Sequence, residues 1–289
     1  MNRSSIFGIF AGLAAASIWG GMYVVSKVVL EVIPPFSLLT IRLVLGALTL
    51  GLVIALRPKP EFTQRQFWNS FLVGIVGYGV SLSFQFVGTK LSTASNGALV
   101  TSATPAFVLI FAPFLLGEKN TPRRILALVI STIGVVAVID PRNAELSPSL
   151  FWGNMCLLAA GLTWALYSVL VRKVSKNSDL LISSTIMLIG GLPISIPAGA
   201  WELSAQGIGT LTPGTIGGIL YLGIISTAIA MFLWNYAFAK LPAAVASLTF
   251  FAQPVVGALL GWLILGEIIS PLFLIGGALV GIGIAISGI

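Results

Sequence analysis

One apolar run after another, each about 20 residues long, fills this chain of 289 residues almost from end to end. A run of that length spans the hydrocarbon core of a bilayer as a helix. Lipid offers backbone N–H and C=O groups no partners, so each segment must satisfy its own. Hydrophobic residues make up 57% of the chain and charged residues 8%, against about 25% charged in soluble domains. These features predict an all-α membrane protein and exclude a soluble globular fold.

Polar and proline-rich breaks divide the runs into ten expected transmembrane helices, near 5–30, 35–56, 66–88, 93–116, 122–139, 151–172, 180–200, 213–238, 242–265 and 270–288. The first carries Arg3 ahead of an apolar stretch, as a signal peptide does. Its pattern nevertheless continues to about Leu30, and Ala15 to Gly20 has a counterpart at Ala160 to Ala165, so it reads as a retained membrane helix. The connections are too short to hold a soluble domain. With a cytoplasmic N-terminus, eleven of the 15 basic residues fall inside: Arg3, Arg57, Lys59, Arg65, Lys119, Arg123, Arg124, Arg172, Lys173, Lys176 and Lys240. The positive-inside rule then puts both termini in the cytoplasm of a bacterial cell, with the protein multi-pass in the inner membrane. The same bias accounts for the net charge of +7 without any nucleic-acid partner.

The pattern is written twice. Lys90-Leu91, Pro105, Gly117-Glu118, Pro122 and Gly134 recur as Lys240-Leu241, Pro254, Gly266-Glu267, Pro271 and Gly283, offset by 149 to 150 positions. Pro, Glu and Lys are rare in apolar helices, which makes chance agreement a poor explanation. Five spans per copy is an odd number, so the second copy enters the membrane from the opposite side. Two inverted five-helix repeats are expected, 1–145 and 146–289, the arrangement that lets one protein open alternately to either face.

Several chemistries are closed off. There is no His, which removes His-based acid–base catalysis and His metal sites. The lone Cys156 can form neither an intramolecular disulfide nor a thiolate metal site. No phosphate-cradling loop is present, and every carboxylate sits at a span end or in a loop, so an intramembrane aspartyl protease has no facing Asp pair. No catalytic residue, metal site or cofactor is expected. A passive channel would need a polar stripe through several helices, and only scattered Ser and Thr are present.

The motif Pro105…Gly117-Glu118…Pro122…Gly134, repeated as Pro254…Gly266-Glu267…Pro271…Gly283, resembles the paired EamA domains of the drug/metabolite transporter superfamily. The resemblance covers nearly the whole length. It implies a transporter exporting small metabolites by alternating access. By analogy, the aromatics around Trp19, Tyr23, Tyr78, Trp164 and Tyr167 point within it to export of aromatic and other neutral amino acids. The small multidrug members carry a Glu in the middle of their first helix. Here that region reads Gly12-Leu13-Ala14-Ala15-Ala16-Ser17, which disfavours a drug-cation exporter of that type and leaves proton coupling open.

The residues themselves nominate a substrate site. Arg42 lies seven residues past Pro35, roughly 10 Å into the second span. It can attract a substrate carboxylate or snorkel to the surface. Lys27 can assist it or pair with Glu31 at i, i+4. Trp19 and Trp164 correspond across the copies, with Tyr23 and Tyr167 a turn later, and can make walls for an apolar or aromatic side chain or pack the core. Phe84-Gln85-Phe86 aligns with Trp234-Asn235-Tyr236, giving an amide in each copy that can bind substrate or join helices. Tyr78, Gln85, Asn96, Thr101 and Gln253 complete the expected polar and aromatic lining. Pro105 and Pro254, near the centres of spans four and nine, are expected to kink their helices and serve as paired hinges. Gly8-x3-Gly12, Gly257-x3-Gly261 and Gly277-x3-Gly281 allow close helix approach, within one monomer or between two. With ten spans the monomer can enclose a cavity alone, so it is expected to act as a monomer.

Overall fold

The computed structural model describes residues 3–58, 61–92, 97, 100–139, 150–265 and 271–288, and among these every regular element is helical. In chain order, α1 is Arg3–Leu30, α2 Pro35–Ala55, α3 Gln64–Leu91, α4 Thr104–Leu116, α5 Pro122–Ile139, α6 Phe151–Val174, α7 Leu180–Gln206 and α8 Pro213–Lys240. α9 begins as Ala243–Leu248, passes through a 3-10 turn at Thr249–Phe251 and continues as Ala252–Leu265, and α10 is Pro271–Gly288. Six of them, α1, α2, α3, α6, α7 and α8, are long and apolar enough to cross a membrane. Ten crossings were expected. The remaining elements are shorter, with apolar stretches at Thr104–Leu116, Ala243–Gly257 and Leu274–Ser287.

Three carboxylates begin helices. Glu202, near the end of α7, accepts from the backbone N–H of Phe36 at 2.8 Å and of Ser37 at 3.0 Å. It supplies the first turn of α2 with a cap that Pro34 cannot give. Asp179 caps α7 through Ile182 N–H at 3.0 Å and pairs with Arg57. Glu118 accepts from Ala243 N–H at 2.9 Å, at the start of α9, and pairs with Arg172. Gly117 ends α4 in the left-handed conformation, φ 67°, where a side chain would be strained.

Small residues set how closely the helices meet, as they do throughout membrane bundles. A Cβ on Gly74 of α3 would stand 2.1 Å from the carbonyl oxygen of Met187 of α7, so only glycine fits. Gly8 and Gly12 lie against Leu241, just past α8, and Thr249 of α9, which places that small-residue face in contacts within the chain. α1 packs on α8 and α9, while α6 packs on α3 and α4; α2 lies against α7, and α5 against α10.

Both α3 and α8 carry a π-helical segment, Ile75–Ser81 and Tyr221–Ile229. These wide turns loosen the ladder and re-aim the side chains near them. The proline expectation needs correction. Pro105 and Pro254 each stand in the first turn of a helical segment, after a turn at residues 102–103 and after the 3-10 turn Thr249–Phe251. A first-turn proline has no intrahelical hydrogen bond to surrender, and each break falls in the turn just ahead of it, where the proline ring bars a continuous helix. The prolines inside helices are Pro113, Pro193 and Pro197.

Candidate functional site

Trp19 and Trp164 face each other near the middle of the bundle, ring centroids 5.7 Å apart and nearly perpendicular. Trp234 lies 5.4 Å from Trp19, and Phe250 packs on Trp234 at 5.5 Å. Trp19, Trp164 and Phe250 bound a cavity whose other walls include Met22 and Tyr23 of α1, Ser81 and Gln85 of α3, Thr101, Gly161 of α6, Met231 of α8 and Gln253 of α9, with Trp234 packed behind them. Its volume is about 30 Å³, room for a water or two and well short of a metabolite. A larger molecule enters only if these walls part.

One wall is a directed chain of hydrogen bonds. Gln85 Nε2 donates to the Tyr23 hydroxyl at 3.0 Å, Tyr23 pairs with Thr101 Oγ1 at 2.9 Å, and Thr101 donates to the carbonyl of Gly97 at 2.6 Å. Since Thr101 spends its proton on Gly97, Tyr23 is the donor to Thr101. Gln253 is 2% exposed and faces the Tyr23 hydroxyl, yet neither its Nε2 nor its Oε1 completes a well-formed hydrogen bond. The indole N–H of Trp164 likewise finds no acceptor among the described residues, whereas Trp19 Nε1 donates to the carbonyl of Ser226 at 3.0 Å. Buried polar groups left unpaired are rare in native structures and call for a ligand or another explanation.

Arg42 is completely buried, which rules out the snorkelling alternative. Its Nε donates to Thr227 Oγ1 at 2.8 Å. Thr227 sits in the π-segment of α8 and donates its own proton to the carbonyl of Leu222 five residues back, at 2.6 Å, leaving a lone pair for the guanidinium. The rest of the guanidinium meets the thioether of Met22 at 4.0 Å and the Phe86 ring at 4.9 Å. Met22 also lines the cavity, so this flexible side chain is the partition between Arg42 and the cavity.

The structure divides the expected site residues into three groups. Trp19, Tyr23, Gln85, Thr101, Trp164 and Gln253 come together on the cavity, and Arg42 lies one side chain behind it. Tyr78 and Tyr167 are set further back. Tyr78 meets Tyr167 hydroxyl to hydroxyl at 2.5 Å, Tyr167 donates to Asn235 Oδ1 at 2.7 Å, and Asn235 Nδ2 reaches Tyr78 at 3.4 Å. This closed ring ties α3, α6 and α8 together. Of the matched amides, Gln85 therefore lines the cavity while Asn235 joins helices. Asn96 lies outside the described residues.

Lys27 does neither of the things expected of it. Its ammonium donates to the carbonyls of Thr89, Lys90 and Ser92 at 3.1, 3.1 and 2.6 Å, at the end of α3. Sequence reasoning missed Met22, Ser81, Met231 and Phe250. Ordinary apolar or small residues such as these carry no signal until the cavity is seen. Thr227 was findable as a hydroxyl within an apolar span.

The site is thus a small aromatic-walled cavity with unpaired polar groups inside a bundle of apolar helices. The EamA-like transporter family model matches the chain twice, over residues 6–139 and 151–289, and the chain belongs to that family. It is a multi-pass membrane protein of a family of small-metabolite transporters. Among its relatives, "Uncharacterized transporter YoaV" of Bacillus subtilis (strain 168) is 23% identical over 282 residues, 94% of this chain and 93% of the relative. A "Probable amino-acid metabolite efflux pump" of Salmonella typhimurium (strain LT2) is 26% identical over 294 residues, covering 96% and 93%. A solved crystal structure superposes with a TM-score of 0.80 at 20% identity, over 99% of this chain and 96% of the other, and shares the fold.

Proposed function

We propose that the protein exports small carboxylate-bearing metabolites, neutral and aromatic amino acids first among them, by alternating access across a bacterial inner membrane. The single observation that carries this is Arg42, a fully buried cation beside an aromatic-walled cavity. A buried charge is costly unless paired, and it persists at membrane depth for a purpose. The substrate carboxylate reaches Arg42 when Met22 swings aside, and the apolar side chain packs against Trp19 and Trp164. Gln253, Gln85 and Thr101 face the polar substituents. Tyr23 holds the Gln85–Thr101 chain, while Tyr78 and Tyr167 hold the wall behind them. The relative named as an amino-acid metabolite efflux pump supports the substrate class.

In this reading the ten helical segments cross the membrane as two inverted five-helix repeats, 1–145 and 146–289, with both termini cytoplasmic and the monomer as the working unit. Supporting it, pairings recur with the halves exchanged: α1 on α8 mirrors α6 on α3, and α1 on α9 mirrors α6 on α4. The π-segments of α3 and α8 occupy matching places. The breaks before Pro105 and Pro254 are then the paired hinges that widen the cavity on alternate faces.

The test is counterflow of labelled phenylalanine and threonine in liposomes holding the purified protein. Saturable uptake driven by unlabelled substrate inside is expected. Arg42→Gln is expected to reduce it by roughly 100-fold at subsaturating substrate, the scale of losing a charge-assisted pair. Undiminished flux in a folded Arg42→Gln protein would remove Arg42 from the site.

A further inference from the structure

Every carboxylate among the described residues is committed away from the cavity. Glu118, Asp179 and Glu202 cap helix N-termini, and Glu31 and Glu61 are exposed. Arg42 thus meets a hydroxyl, a thioether and an aromatic face, with no anion among the described residues. The polar groups on the cavity itself are all uncharged: hydroxyls, the amides of Gln85 and Gln253, and the Trp164 indole. Among the described residues the site offers one positive charge and nothing negative to balance a second.

We infer that the site also takes apolar 2-hydroxy and 2-oxo acid anions, and binds them more tightly than the amino acid of the same shape. This rests on the reading of Arg42 as the carboxylate partner. A monoanion brought to Arg42 leaves the occluded site neutral. A zwitterion places its ammonium beside the same guanidinium, with only neutral oxygens to receive it, and the like charges repel in a medium of low dielectric. An oxo group in the ammonium's place avoids that cost and can accept a hydrogen bond, which an ammonium cannot; a hydroxyl does the same and can also donate. It donates to Gln253 Oε1 and accepts from Gln253 Nε2 or the Trp164 N–H, the groups left unpaired on the wall.

The experiment uses the wild-type protein in liposomes and three competitors of labelled phenylalanine counterflow. These are unlabelled phenylalanine, 3-phenyllactate, which replaces the ammonium by a hydroxyl, and phenethylamine, which keeps the ammonium and lacks the carboxylate. Phenyllactate is expected to half-inhibit at roughly one tenth the concentration needed for phenylalanine, the scale of relieving one partly screened charge repulsion. Phenethylamine is expected not to compete. Phenyllactate weaker than phenylalanine would overturn the inference and leave the amino-acid reading standing, and so would phenethylamine competing as well as phenylalanine. Should labelled phenylalanine show no flux, labelled phenyllactate is measured directly. Its saturable counterflow would sustain the inference after the amino-acid reading had failed, and its absence would overturn both.

Discussion

Lys27 and Arg172 cap the ends of two different helices in the same manner. Lys27, near the end of α1, donates to the carbonyls of Thr89, Lys90 and Ser92 where α3 ends. Arg172, near the end of α6, donates to the carbonyl of Phe238 at 3.1 Å where α8 ends. Each places a cation on carbonyls that the helix cannot satisfy, at the negative end of its dipole. They differ in one respect: Arg172 also pairs with Glu118, while among the described residues Lys27 serves backbone alone.

That difference predicts unequal costs. Arg172→Met leaves Glu118, whose side chain is 15% exposed, without its cation, and is expected to cost about 1–3 kcal/mol. Lys27→Met frees three carbonyls but strands no charged partner, and is expected to cost less. Thermal unfolding of the two purified variants compares them directly. A larger drop for Lys27→Met would contradict the assignment.

Glu202 ties the end of α7 to the start of α2. Glu202→Gln keeps an acceptor oxygen for Phe36 and Ser37 and is expected to retain most of the stability. Glu202→Ala orphans both N–H groups at the first turn and is expected to cost about 1–2 kcal/mol. Equal melting temperatures for the two variants would show that the cap contributes nothing.

Two glycine substitutions provide a contrast in packing. Gly74→Ala drives a methyl into the Met187 carbonyl and forces α3 from α7, at about 1–3 kcal/mol. At Gly217 of α8 an added Cβ meets nothing within 4 Å, so Gly217→Ala is expected to be neutral or stabilising by a few tenths of a kcal/mol. Yield of monodisperse protein and its thermal transition read both.

The two cavity tryptophans are separable by the bond one of them makes. Trp19→Phe breaks the donation to the Ser226 carbonyl and is expected to lower stability by about 1 kcal/mol. Trp164→Phe loses an N–H that pairs with nothing among the described residues, so stability is expected to hold while half-saturation for substrate rises. A Trp164→Phe variant that melts early yet transports with wild-type affinity would refute its role toward substrate.

Helical class and most helix positions were legible because lipid admits so few backbone arrangements: length and apolarity nearly suffice. The aromatic pair Trp19 and Trp164, the Gln85 amide and Gln253 were legible too, since polar or bulky groups inside apolar spans stand out. Arg42 stood out as a charge, but whether it snorkelled or was buried depended on which neighbours surround it.

What the chain determined alone was therefore periodicity, repetition and the rarity of charge. Those are local quantities, set by each residue's own cost in lipid. Only the tertiary structure decided that Lys27 turns to the end of α3 and away from Glu31, and that the three buried or half-buried carboxylates spend themselves on helix N-termini. It also decided that the breaks fall ahead of Pro105 and Pro254, and that the Tyr78–Tyr167–Asn235 ring stands behind the cavity wall. Each of these depends on which helix lies across from which. That is set by close approach at residues such as Gly74 and by the re-aiming of side chains at π-turns, and neither leaves a periodic trace in the sequence.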